Sequence, residues 1–251
     1  MSEPLVSPPP PTAPEKQGGF LQNLVDVYFA PRDAFARIAR DPRWLLPAAG
    51  LLVVSVAFTA VWMSRMEPTE FMKSQLEESG QWDKMPAEQR DVAIERGAGM
   101  MKGLGWVMAV VGTVFVLAVV SGVLFFVFRF FYASEMSFKH ALAVVSWAFF
   151  AVSLLSSPLI LAVMGLKGDW NLNPQEVVQA NPSLLLDKST AAKPLWTLLS
   201  SLDLFSFWQI FLLAVGFGVA SRKTTGSAVW GVLIPWAILV LSKVGWAAIF
   251  H

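Results

Sequence analysis

Five stretches of this chain run for the length of a membrane crossing, and only two ionisable side chains lie within them. They are about Trp44–Met63 (WLLPAAGLLVVSVAFTAVWM), Trp106–Phe128, Ala141–Met164, Leu195–Val219 and Ala228–Phe250, and the two charges are Asp203 and Lys243. An α-helix needs roughly 20 apolar residues to cross a hydrocarbon core. Lipid offers the backbone no hydrogen-bond partner, so such runs must be helices or the strands of a closed barrel. No sustained period-2 alternation occurs, which removes the barrel. The sequence therefore predicts an all-α fold: an integral membrane bundle of five transmembrane helices, preceded by N-terminal amphipathic interfacial helices.

The remaining composition narrows the function classes. Hydrophobic residues make up 55% of the 251 and charged residues 15%, where a soluble domain averages about a quarter charged. The net charge of +1 gives no bulk attraction for a polyanion, so no nucleic-acid partner is expected. The absence of cysteine removes thiolate metal sites and cysteine nucleophiles. His140 and His251 are too far apart in the chain to suggest a metal site. No phosphate-binding glycine loop, HExxH or GxSxG occurs. No catalytic residue, metal or cofactor is expected, and a non-enzymatic protein is the reading.

Residues 1–18 (MSEPLVSPPPPTAPEKQG) read as a disordered proline-rich tail. Residues 19–43 read as two short helices split at Pro31. Phe20, Leu24 and Phe35 lie on their apolar faces, and Arg32, Arg37 and Arg40 lie opposite Phe35. Such helices either lie on the cytoplasmic leaflet or pack on the spans. The first long segment between spans, 64–102, is acidic and helical, with a helix expected to start at Pro86 and end at Gly97. The second, 165–194, is rich in Asn, Pro and Gly and reads as loops with a short helix near PQEVVQA. Orientation follows from Lys and Arg density beside the spans. Arg32, Arg37, Arg40 and Arg43, then Arg129 and Lys139, then Arg222 and Lys223 share one side, which places the N-terminus in the cytoplasm and the C-terminus outside.

Asp203 and Lys243 lie at matched depth on consecutive antiparallel spans, about 12 Å from the outer face at 1.5 Å per residue. An unpaired charge there is costly. The two are expected to form an intramembrane ion pair, with Ser206 and Gln209 as supporting polar groups. The alternative is that each snorkels separately to the interface. Ala214 and Gly218, four apart, allow close helix approach, either within the bundle or on a dimer face. Pro158 and Pro235 are expected to kink their helices.

Four segments in this order resemble the bacterial branch of the Yip family, named for eukaryotic members that interact with Ypt/Rab GTPases. They are FAPRDAFARIARDPRWLLP leading into the first span, SFKHALAVVSWAFFAVSLLSSPL opening the third, SLDLFSFWQIFLLAVGFGVAS in the fourth and GVLIPWAILVLSKVGWAAI in the fifth. The resemblance covers about residues 20–250. It implies five spans, a cytoplasmic N-terminus, a short external C-terminus and residence in the bacterial cytoplasmic membrane. Eukaryotic members are membrane-trafficking and membrane-shaping factors. The expected function is a scaffold or adaptor organising a membrane complex or bilayer region. The alternative is a permease or lipid-handling subunit using the fourth and fifth spans. Expected partners are the lipid bilayer, a membrane or cytoplasmic protein, and a second copy of the chain.

Overall fold

A computed structural model describes residues 19–178, 180–186 and 190–249; the proline-rich segment 1–18 lies outside them. Among the described residues every regular element is helical. Two short helices, α1 (Phe20–Phe29) and α2 (Pro31–Arg40), precede the first long one, α3 (Leu45–Arg65). Pro31 opens α2 at the first helical position, where a missing N–H costs nothing. Asp33 in its first turn and Arg37 and Arg40 in its last complement the helix dipole.

α4 (Pro68–Glu78) follows α3 and packs on α5 (Ala87–Val107). Helix α5 starts after Pro86 as expected, but it does not stop at Gly97. It continues through a π-helical turn, Met108–Gly112, into α6 (Thr113–Phe130), giving one helix of 44 residues. Gly97 serves packing rather than termination: a Cβ there would lie 2.4 Å from the Met72 methyl of α4.

α7 (Phe138–Lys167) is the third span. Its start is held by a capping box in which Ser137 and His140 satisfy each other's backbone N–H, so His140 is part of a cap. Gly168, at φ +67°, ends it in the left-handed region. Short pieces follow, α8 (Pro174–Val177) and a 3-10 turn at Pro182–Leu185. The fourth span is broken. α9 (Lys193–Ser201) and α10 (Leu204–Ala220) meet at a 49° bend, whereas the sequence reads as one continuous run. α11 (Thr225–Ile249) is the fifth. Four helices are long and apolar enough to cross a membrane alone, and the bent pair makes five.

The turns α6–α7 and α10–α11 carry Arg129, Lys139, Arg222 and Lys223; this is called the basic end below, and the opposite end, with α4, the acidic end. Helix α7 is central, packing on α3, α6 and α10 and also on α1 and α2. From Ala141 to Val152 it is buried at nearly every position, whereas beyond Val152 only Met164 is. A helix apolar and enclosed on all sides is a core helix, and here only the basic half of α7 is one. Around it, Phe128 of α6 stacks on Phe217 of α10 at 4.8 Å and presses on Gly231 of α11, where a Cβ would lie 2.8 Å from the ring.

Phe35 of α2, fully buried, fills the corresponding space at Gly216, where a Cβ would lie 2.4 Å from Val144 Cγ1 and 3.0 Å from the Phe35 ring. The valine cannot yield, because its χ1 is nearly fixed in a helix. Gly216→Ala should therefore lower stability by about 1–3 kcal/mol through overpacking. Gly99→Ala, which meets nothing within 4 Å, should leave stability level or raise it by up to about 1 kcal/mol through helix propensity. Thermal unfolding midpoints of the two variants in one detergent check the contrast.

Candidate functional site

Three places could bear function, and the first is the α1–α2 hairpin. The apolar residues of α1 divide into two faces. Val27 is fully buried and Leu24 packs on the core. Phe20 meets the rings of Trp147 at 5.0 Å and Phe150 at 6.0 Å. Tyr28 donates to the carbonyl of Ala151 at 2.7 Å and packs on Trp208 at 5.7 Å. Burial pushes the Tyr28 hydroxyl above the ordinary phenol range, so it remains a donor at any physiological pH.

The other face of α1 is Leu21, Val25 and Phe29, exposed by 73%, 53% and 85%. These recur every fourth residue and form one stripe. Between the helices, Arg37 pairs with Asp26 and donates to Asn23 Oδ1 at 2.9 Å. This pairing neutralises the hairpin's inner charge, while Arg32 and Arg40 are exposed. The two sequence alternatives for these helices thus resolve into packing on the spans, with an additional unpartnered apolar stripe.

The second place is the break in the fourth span. Asp203 is the N-cap of α10: its carboxylate accepts from the Ser206 N–H at 3.0 Å and from the Ser206 hydroxyl. The Leu204 N–H donates to the carbonyl of Ala180 at 3.2 Å. Lys243 is exposed on α11, and among the described residues no ion pair joins it to Asp203. Of the two expected supporters Ser206 serves the cap, and the buried side-chain nitrogen of Gln209 has no hydrogen-bond partner. Matched depth is therefore not enough to form the pair. Asp203 has donors on its own helix, and Lys243 points out of the bundle.

The third place went unnoticed in the sequence. Beside the π-turn, a cleft of about 350 Å³ lies between α3, α6 and α7. Leu51, Val54, Phe58, Met108, Val116 and Phe149 make its apolar walls, and Ser55, Thr113, Ser153 and Ser157 bring hydroxyls into it. Ser55 donates to the Ala109 carbonyl at 3.1 Å. Thr113 donates to the same carbonyl at 2.7 Å and lies 3.1 Å from the Ser55 oxygen. The hydroxyls of Ser153 and Ser157 make no hydrogen bond among the described residues. Hydroxyls on three separate apolar runs, with Ser153 and Ser157 one turn apart beside Pro158, were the available signal. π-turns within α-helices recur at functional sites.

Residues 25–246 match the Yip1 domain family. The chain belongs to that family. No curated protein and no solved structure gave a match to it. In this Yip1-domain chain, Ala214 is fully buried and Gly218 lies within the bundle, where a Cβ would be 3.4 Å from Ala228 of α11. Gly218 thus lies at the α10–α11 contact, and both residues are inside the bundle rather than on an outward face. Pro158 and Pro235 lie inside α7 and α11, which run through them.

Loss of the cap in Asp203→Ala should cost about 1 kcal/mol. In a double-mutant cycle with Lys243→Met the two effects should add to within about 0.5 kcal/mol, as they do for sites that do not touch. Melting temperatures of the four proteins in detergent test this. A coupling clearly larger than that would restore the ion pair.

Proposed function

We propose that this protein is a non-enzymatic scaffold of the bacterial cytoplasmic membrane, with its basic end in the cytoplasm, its C-terminus outside, and the lipid around its α1–α2 hairpin as its first partner. The observation that carries this is the pair of faces on α1. One face is embedded in the bundle beside Trp147, Ala151 and Trp208, and the other presents Leu21, Val25 and Phe29 outward.

A helix so placed is anchored to the spans and carries further apolar surface beside that anchor, which favours acyl chains over water. The anchor lies where the first span begins. Gly50, the sixth residue of α3, lies against the ring of Phe150, and Phe150 is one of the rings that Phe20 meets. The hairpin thus widens the bundle in one leaflet only. A body broader in one leaflet organises the bilayer around it by shape, without chemistry, and the exposed Arg32 and Arg40 suit an anionic surface. The Yip1 domain family is not a known enzyme family, which agrees with this reading. Protein partners and self-association would be recruited to the same organised region.

The broken fourth span is the observation on the side of a permease, since interrupted helices in transporters leave backbone groups free for substrate. Here three backbone N–H groups at the break are occupied. The Ser206 N–H bonds Asp203, the Leu204 N–H bonds Ala180, and the Leu202 N–H bonds the Leu199 carbonyl. The shape reading is accordingly preferred.

Two experiments test it. For orientation, the cysteine-free chain accepts single cysteines at exposed positions. Ser137→Cys and Ser227→Cys should be protected from a membrane-impermeant thiol reagent in intact cells, and Ser64→Cys should react; the reverse pattern would invert the topology. For shape, reconstitution into vesicles containing anionic lipid should shift their size distribution in proportion to protein density. Replacement of Leu21, Val25 and Phe29 together by Ser should abolish the shift while the melting temperature stays within a few degrees. An unchanged shift in that variant would remove the scaffold reading as stated.

A further inference from the structure

Nothing in the scaffold reading uses the cleft between α3, α6 and α7, and no residue of the hairpin lines it. We propose that it binds an uncharged lipid alcohol: an apolar chain bearing a hydroxyl group at mid-membrane depth. Depth is the first argument. Ser55 is the eleventh of the 21 residues of α3, so the hydroxyls sit at the middle of the first span, about 15 Å from either of its ends at 1.5 Å per residue. A charged or zwitterionic headgroup does not reach that level, because burying its charge in hydrocarbon is prohibitive. Nor does any residue lining the cleft carry a charge that would compensate one.

Hydrogen-bond capacity is the second argument. Each hydroxyl has one hydrogen and two acceptor lone pairs. Ser55 and Thr113 direct theirs to the Ala109 carbonyl, and their own lone pairs remain as acceptors on the α3–α6 wall. Ser153 and Ser157, on the α7 wall, make no bond among the described residues and offer donors. The acyl tail of an ordinary phospholipid has no polar atom for either wall. A hydroxyl group donates to one wall and accepts from the other. A ketone or ester carbonyl serves only the donor wall. The remaining walls are aliphatic and aromatic side chains that suit a hydrocarbon chain, and about 350 Å³ falls in the range of roughly 300–1,000 Å³ common to small-molecule sites.

Farnesol is a suitable probe, being an uncharged chain alcohol. The full-length protein in phosphatidylcholine vesicles is irradiated with a diazirine-bearing farnesol, and the modified peptides are mapped by mass spectrometry. Labelling should be saturable and concentrated in peptides containing Ser55, Thr113 and Ser153–Ser157. Excess farnesol should suppress it, and the corresponding hydrocarbon without a hydroxyl should not. The Ser153→Ala, Ser157→Ala double variant removes hydroxyls that bond nothing in the fold, and it should bind roughly tenfold more weakly, the effect of losing a hydrogen bond or two. A second variant, Ser153→Phe, fills the cleft and should abolish labelling at an unchanged melting temperature. Unsaturable labelling, equal competition by the hydrocarbon, equal labelling from a diazirine on a phosphatidylcholine tail, or undiminished labelling of the double alanine variant would each overturn the proposal.

Discussion

The seat of Phe35 between Gly216 and Val144 is the contact on which the arrangement of the basic end depends. Lipid tails are as apolar as leucine, so spans gain little by hiding apolar side chains from one another, and close packing must hold them. Glycine permits that closeness. At Gly216 the absence of a Cβ lets a phenyl ring from α2 reach the backbone of α10 while touching Val144 of α7. One side chain thereby ties a short N-terminal helix to two spans far apart in sequence. Tyr28 then adds a hydrogen bond to α7, and the Arg37–Asp26 pair locks α1 to α2. The all-round burial of α7 from Ala141 to Val152 follows from this enclosure.

The acidic end is held by different means. Polar crosslinks accompany a smaller aromatic contact there, Trp62 against Phe71 at 5.4 Å. The Trp62 indole donates to the Trp170 carbonyl at 3.0 Å, the Glu67 N–H to Asn171 Oδ1 at 2.8 Å, and Lys193 Nζ to the Ser79 carbonyl at 2.7 Å. Arg65 lies over the Trp170 ring at 5.5 Å, a cation–π contact of ordinary geometry. Apart from Trp62, at the end of the first apolar run, the bonded groups lie outside those runs, where water competes and each bond contributes only about 1 kcal/mol. Between the two ends, at the middle of the bundle, lie the π-turn and the cleft beside it.

The five spans, the two N-terminal helices and the short helix near Pro174 were legible because hydrophobic run length and proline position act locally. What was not legible depends on direction around a helix axis. Asp203 and Lys243 share a depth, but depth along two helices does not fix whether their side chains face each other. The serine three residues beyond Asp203 gave it a local alternative, the N-cap. The break in the fourth span was written in the same residues: an Asp with a Ser three positions on is a helix start, here set within an apolar run long enough to mask it. The continuation of α5 past Gly97 failed for the opposite reason. Glycine ends helices through its freedom at positive φ, but here it is needed for the approach of Met72, and the two uses look alike in sequence.

The N-terminal helices show how packing on the spans, one of the two sequence alternatives, can leave apolar surface over. An amphipathic helix was expected either on lipid or on protein because a single apolar face can cover only one of them. Helix α1 has an apolar arc wide enough to be shared, with Phe20, Leu24, Val27 and Tyr28 inward and Leu21, Val25 and Phe29 outward beside them. Its only acidic side chain, Asp26, is spent on Arg37. Gln22, exposed, bonds the same carboxylate and with Asn23 makes up the polar remainder of the helix. The inward part of the apolar arc holds α1 beside the start of the first span, at Phe150 and Gly50, and the outward part is what the bundle leaves uncovered.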